Sequence, residues 1–188
     1  MTSSIFNRKH DEKEQIEAWK KTIRIYFNGD VEYNKKLDFL KREIEHDEDI
    51  KNILDAFDNK YNISDLEELW DDIMLTAFCE AEKMIFVYDG NGKFTNDRKI
   101  SLKNYPASLK LGYPRKFWMK KCDELEDNST NALPNALKDS LVDIVATKQG
   151  YIVIRIMHEE VDWSLDSSMD VLGQMIQNAH SGKFGITW

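Results

Sequence analysis

Tyr151-Ile152-Val153-Ile154-Arg155-Ile156-Met157, preceded by Gly150, is the clearest strand signal in this chain. A near-continuous apolar run of this length predicts a strand covered on both faces rather than one face left in water. Arg155 interrupts it and shares a face with Val153 and Tyr151, because side chains alternate along a strand. A charge at that position needs a partner. It either pairs with an acid or sits at a strand edge, or else it is the arginine of a binding pocket.

A second apolar run, Met84-Ile85-Phe86-Val87-Tyr88, leads into Asp89-Gly90-Asn91-Gly92 and reads as a strand entering a hairpin turn. Lys93–Phe94 and Lys99–Leu102 are the expected returning strand. Before these strands the period is helical. Asp11 and Glu14 suggest a capping box, Ile16, Trp19, Ile23 and Tyr26 follow at helical spacing, and Asn28-Gly29 ends the pattern. A second helix is expected after Asp30, with Tyr33, Leu37, Leu40 and Ile44 on one face. A third is expected over about 47–61, and a fourth from a Ser64/Glu67 capping box towards Lys83. After the strand pair, Pro114 opens a helix to about Leu125 and Pro134 opens another. A last helix spans about 167–179, and Phe184–Trp188 suggests a short final strand.

The predicted class is α+β. A helix-rich N-terminal half, about 11–83, packs with a small mixed or antiparallel sheet and C-terminal helices, about 84–188, in one domain over 1–188. The chain has 188 residues, 41% hydrophobic and 11% aromatic, enough for a real core. No apolar run approaches the ~20 residues that span a bilayer. The N-terminus has no apolar signal-peptide core, and Cys79 and Cys122 stand outside any motif. A cytoplasmic protein with buried reduced thiols is expected, with no membrane partner.

Catalytic signatures are missing. Asp89-Gly90-Asn91-Gly92-Lys93 has Val87 where a P-loop needs its first glycine, and there is no Gly-x-Ser-x-Gly, Cys-x-x-Cys or His-Glu-x-x-His. The chain therefore does not read as an enzyme, and no metal or cofactor is expected. Arg155, His158, Glu159 and Glu160, with Asp162 beyond them, form the one speculative polar site, a strand exit where loops often carry function.

Charge is segregated along the chain. Nine of the 26 basic residues lie between Lys93 and Lys121 with a single acid, Asp97, so this block carries +8 in a chain of net charge −8. The acids concentrate on both sides of it. On the expected Pro114–Leu125 helix, Arg115 and Lys116 start the helix and Asp123 and Glu124 end it, an order that opposes the helix dipole. Such a conflict calls for tertiary pairing or for a ligand. The simplest pairing folds the acidic 41–72 segment against the block.

An acidic, catalytically unmarked chain suggests a protein-binding module, such as an inhibitor, immunity-type or anti-defence protein. It would block a basic partner such as a nuclease or nucleic-acid-binding protein. Glu48, Asp49, Glu67, Glu68, Asp71 and Asp72 are the candidate acidic contacts. The alternative is an RNA- or nucleotide-binding protein, or one that processes nucleic acid. In that case Arg115, Lys116, Lys120 and Lys121 would hold phosphates and Trp118 would stack bases.

Overall fold

The computed structural model describes residues 11–36, 44, 46–125 and 131–184. Seven α-helices and a four-stranded mixed sheet make up the described chain, and the class is α+β as expected. The sheet order is β1 (Glu32–Lys36), β2 (Met74–Cys79), β3 (Met84–Asp89), β4 (Ile152–Met157). The first two pairings are antiparallel and β3–β4 is parallel.

Both strand runs read from the sequence pair directly, with Val87 opposite Arg155 and Asp89 opposite Met157. Each alternates between two cores. Ile85, Val153 and Met157 face one side; Met84, Phe86, Ile154 and Ile156 face the other. On the first side lie α2 (Glu48–Asp55), α3 (Ile63–Asp71), α4 (Asn96–Lys103), α5 (Arg115–Leu125) and α6 (Ala132–Leu141). On the second lie α1 (Glu12–Tyr26) and α7 (Ser168–Ser181). The lack of alternation in β4 has this cause: every position faces a helical layer.

Several expectations fail locally. The helix predicted after Asp30 is β1 where it is described; Leu37 and Leu40 lie outside the described residues. Its short polar sequence is held by pairing with β2, with Tyr33 opposite Ala77. The fourth helix stops at Asp72, so the stretch towards Lys83 is β2 and a turn instead. The Asn62/Asp65 capping box, not Ser64/Glu67, sets that helix's start. A short, mostly apolar run such as Ile73–Cys79 does not by its period separate strand from helix, and neighbouring strands decide it.

The expected hairpin after Tyr88 does not form. Asp89 turns its carboxylate into the core, Asn91–Lys93 makes a turn of 3-10 helix, and Thr95 caps α4 through the Arg98 amide. A parallel partner strand requires a long crossover, and α4, α5 and α6 supply it. The loop before α5 lies along β4, where the Gly112 amide donates to the Val153 carbonyl at 3.2 Å. A methyl group at Gly112 would stand 2.5 Å from that oxygen, so only glycine permits the approach. The third helix of the prediction ends early, at Asp55. The last helix forms as α7, and 185–188 lie outside the described residues. Cys79 and Cys122 are buried and free.

Candidate functional site

Among the described residues the dense convergence of ionisable groups is buried on the first core side, around Arg155. This guanidinium is 1% exposed and uses its fork on three aspartates. Its Nε donates to Asp143 Oδ1 at 2.9 Å, NH1 to Asp89 Oδ1 at 2.8 Å, and NH2 to Asp139 Oδ1 at 3.2 Å. Arg98, 2% exposed, is the second cation; its NH2 donates to Asp143 Oδ2 at 2.8 Å. Tyr105 and Tyr113 donate to the same oxygen at 2.8 and 2.7 Å. Trp118 Nε1 donates to Asp89 Oδ2 at 2.8 Å. Lys93, its side chain one-third exposed, closes the set on Asp139 at 3.3 Å.

Each element places its residue for a local reason. Asp89 ends β3, beside Arg155 on the neighbouring strand. Asp139 and Asp143 are four apart on one helical face. The helix widens to π geometry over Val142–Ala146, where Asp143 sits, a distortion frequent at functional sites. Burial opposes ionisation of Asp139, yet Lys93, Arg155 and Arg98 hold its carboxyl well below the usual range. Burial pushes Asp89 upward, with Arg155 pulling against it. Burial also raises both phenols, which stay protonated and donate.

Three cations face three carboxylates, so the cluster is close to neutral and its hydrogen bonds close on themselves. Chemically this suits a keystone rather than a reaction centre. Breaking such a buried pair is costly because it strands a charge.

The basic block splits accordingly. Lys93 and Arg98 belong to the core. Lys99 pairs with Asp123, and Lys120 and Lys121 each reach Glu124 at 3.7 Å. Arg115 donates to the Tyr105 carbonyl at 3.0 Å; neither it nor Lys116 has an acid partner among the described residues. Trp118 is buried, which leaves Phe117, 38% exposed, as the aromatic on that helix's surface. Among the described residues the acidic segment does not supply the block's partners. Asp47 and Asp49 pair with Lys148, Glu48 with Lys51, and Asp72 with Lys138. Glu68, Asp71 and Asp72 are exposed on or just after α3, Glu67 is half-buried, and Glu68 pairs with no cation among the described residues.

The speculative polar site is spread over separate environments. Arg155 is in the keystone. His158 is buried, with Nδ1 2.9 Å from the Tyr88 hydroxyl, and its Nε2 is 4.0 Å from Glu159. Asp162 accepts from Gln15 at 3.1 Å. No set of three potential metal ligands converges among the described residues.

Glu160 is unusual. Neither carboxylate oxygen touches solvent or takes a hydrogen bond among the described residues. Burial pushes its pKa up to about 7, and the neighbouring Met157 backbone and Lys121 ammonium offset this only in part. The folded state therefore holds a proton that the unfolded chain releases near pH 4.5. Its stabilisation is full below that value and is lost as pH rises through about 7. Wild-type protein is expected to lose about 1–3 kcal/mol between pH 5.5 and 8.5 from this group. Urea midpoints across that range would show it, and Glu160→Gln should flatten the profile. An equal slope in Glu160→Gln rules Glu160 out as its source.

No family model, curated protein or solved structure matches this chain. Function has to be argued from its own surfaces. Among the described residues no helix is long and apolar enough to cross a membrane. The sequence pointed to Arg155 but missed Arg98, Asp89, Asp139 and Asp143. The available signal was Asp139 and Asp143 at a four-residue spacing, flanked by the apolar positions Leu137, Leu141, Val142 and Ile144.

Proposed function

We propose that this chain is a non-enzymatic protein-binding module whose acidic α2–α3 face engages a basic partner, as an inhibitor of a nuclease or nucleic-acid-binding protein would. One observation carries this reading: among the described residues the acidic face and the basic block do not neutralise each other. The block draws its partners from Asp123, Glu124, Asp139 and Asp143, while Glu68 and Asp72 stay exposed. The Asp72–Lys138 pair, with Asp72 71% exposed, is a surface contact that a partner can replace at small cost. Met74, 49% exposed at the start of β2, adds apolar contact beside Asp72. Two further facts support a binding role. The densest polar cluster among the described residues lies in the core and is close to neutral, so the net charge of −8 resides elsewhere.

The test has two stages. The tagged full chain is used to capture partners from its host, and association is then measured with the purified partner. Glu68→Lys with Asp72→Lys should slow association by about tenfold or more and flatten its salt dependence, since charge complementarity acts chiefly on encounter. Glu32→Lys, on the far edge of the sheet, is the control. An unchanged association rate in the double variant rejects the α2–α3 face.

A further inference from the structure

A second surface carries the opposite sign. Between the loop Leu109–Pro114 and the C-terminal turn of α7 lies a cleft of about 410 Å³. Its charged lining is cationic, with Lys110 and Arg115 and no acid among the described lining residues, and the His180 imidazole lies beside them. The other three main cavities all include carboxylates: Asp72 and Asp139, Asp30 and Glu82, or Asp166. In a chain of net charge −8 an all-cationic cleft runs against the general field. Charges beyond about 8 Å are largely screened at physiological salt, so a ligand in the cleft feels mainly this lining.

The charge order of α5 points to the same place. Its C-terminal acids are answered internally, Asp123 by Lys99 and Glu124 by Lys120 and Lys121. Its N-terminal bases are not. Arg115 and Lys116 occupy a first turn where acids are favoured, and no carboxylate among the described residues meets them. Arg115 is nevertheless held in place, because one guanidinium nitrogen donates to the Tyr105 carbonyl at 3.0 Å. A guanidinium has five N–H donors in a fixed fork, so most remain for an acceptor. Among the described residues the chain supplies no anion to answer this charge.

We propose that this cleft binds a small organic phosphate of nucleotide size. Arg115 and Lys110 hold the phosphate, and the first turn of α5 adds the positive end of its dipole. Leu111, Pro114 and Phe184 give the remainder of the ligand an apolar wall. The volume lies within the range of small-molecule sites, about 300–1,000 Å³. This site is independent of the α2–α3 face, and either can fail without the other.

Calorimetry on the full chain at low salt tests it, with adenosine monophosphate as the probe and adenosine and inorganic phosphate as comparators. Adenosine monophosphate is expected to bind with a Kd of about 1 mM or tighter, inorganic phosphate more weakly, and adenosine not at all. Arg115→Gln should weaken binding about tenfold, and the exposed Lys110→Gln several-fold with an unchanged melting temperature. Lys120→Gln should leave it intact. No heat with adenosine monophosphate at millimolar concentration overturns the proposal. So does equal affinity for inorganic phosphate, which removes the organic part. Equal losses in Lys110→Gln and Lys120→Gln, with tighter binding of a single-stranded oligonucleotide, would assign the charge to a diffuse polynucleotide surface instead.

Discussion

Arg155→Met is expected to lower the unfolding free energy by about 3–5 kcal/mol, the usual cost of breaking a buried ion pair from one side. Methionine matches the length of the arginine stem, so the loss comes from charge rather than from a large cavity. Asp89 Oδ1 and Asp143 Oδ1 each lose an Arg155 donor, and Asp139 loses one of its cations. Lysine should not restore stability, because a point charge cannot satisfy three carboxylates as a planar fork does. Asp143→Asn added to Arg155→Met should recover part of the loss, since the two sites share one network and their effects do not add. Urea denaturation of the single and double variants measures both effects. A single-variant loss under about 1 kcal/mol would mean that the keystone contributes little.

Trp19→Ala is expected to cost a similar amount, about 3–5 kcal/mol, by a different mechanism. Trp19 is fully buried in the thinner core, where α1 and α7 are the described helices that cover the sheet, and its ring lies 5.6 Å from Tyr88. Truncation empties the centre of that layer, and α1 has few other anchors, chiefly Ile23. Trp19→Phe should cost less than half as much. The indole Nε1–H is buried without an acceptor among the described residues, so phenylalanine removes an unsatisfied donor along with some volume. Thermal melts should show the alanine variant lower by about 10 °C. Equal shifts for the two variants would refute the cavity explanation.

Strands β3 and β4 were legible because long apolar runs bounded by glycine leave few alternatives. Helices α1, α5 and α7 were legible from spacing and caps. The paired strands β1 and β2 were not. Glu32–Lys36 is too polar to announce itself, and Met74–Cys79 is apolar at every position but Thr76. Both are strands because of what lies beside them, which is a non-local fact. The same limit governs the keystone. Arg155 showed that a buried partner was needed, but its three aspartates come from two elements up to 66 residues away. Asp89 looked like a turn residue because its neighbours Gly90, Asn91 and Gly92 are turn formers.

The parallel pairing of β3 with β4 also sets an order of events. During synthesis β1, β2 and β3 emerge first; β2 and β3 can zip through the short turn over 80–83, while β1 pairs with β2 across the long segment that carries α2 and α3. β4 begins only at Ile152, so until then the inner edge of β3 has no neighbour and the three aspartates have no Arg155. The nascent chain therefore cannot close either core ahead of the final strand. Such distant pairing slows folding and makes completion of the sheet a late, nearly all-or-none step.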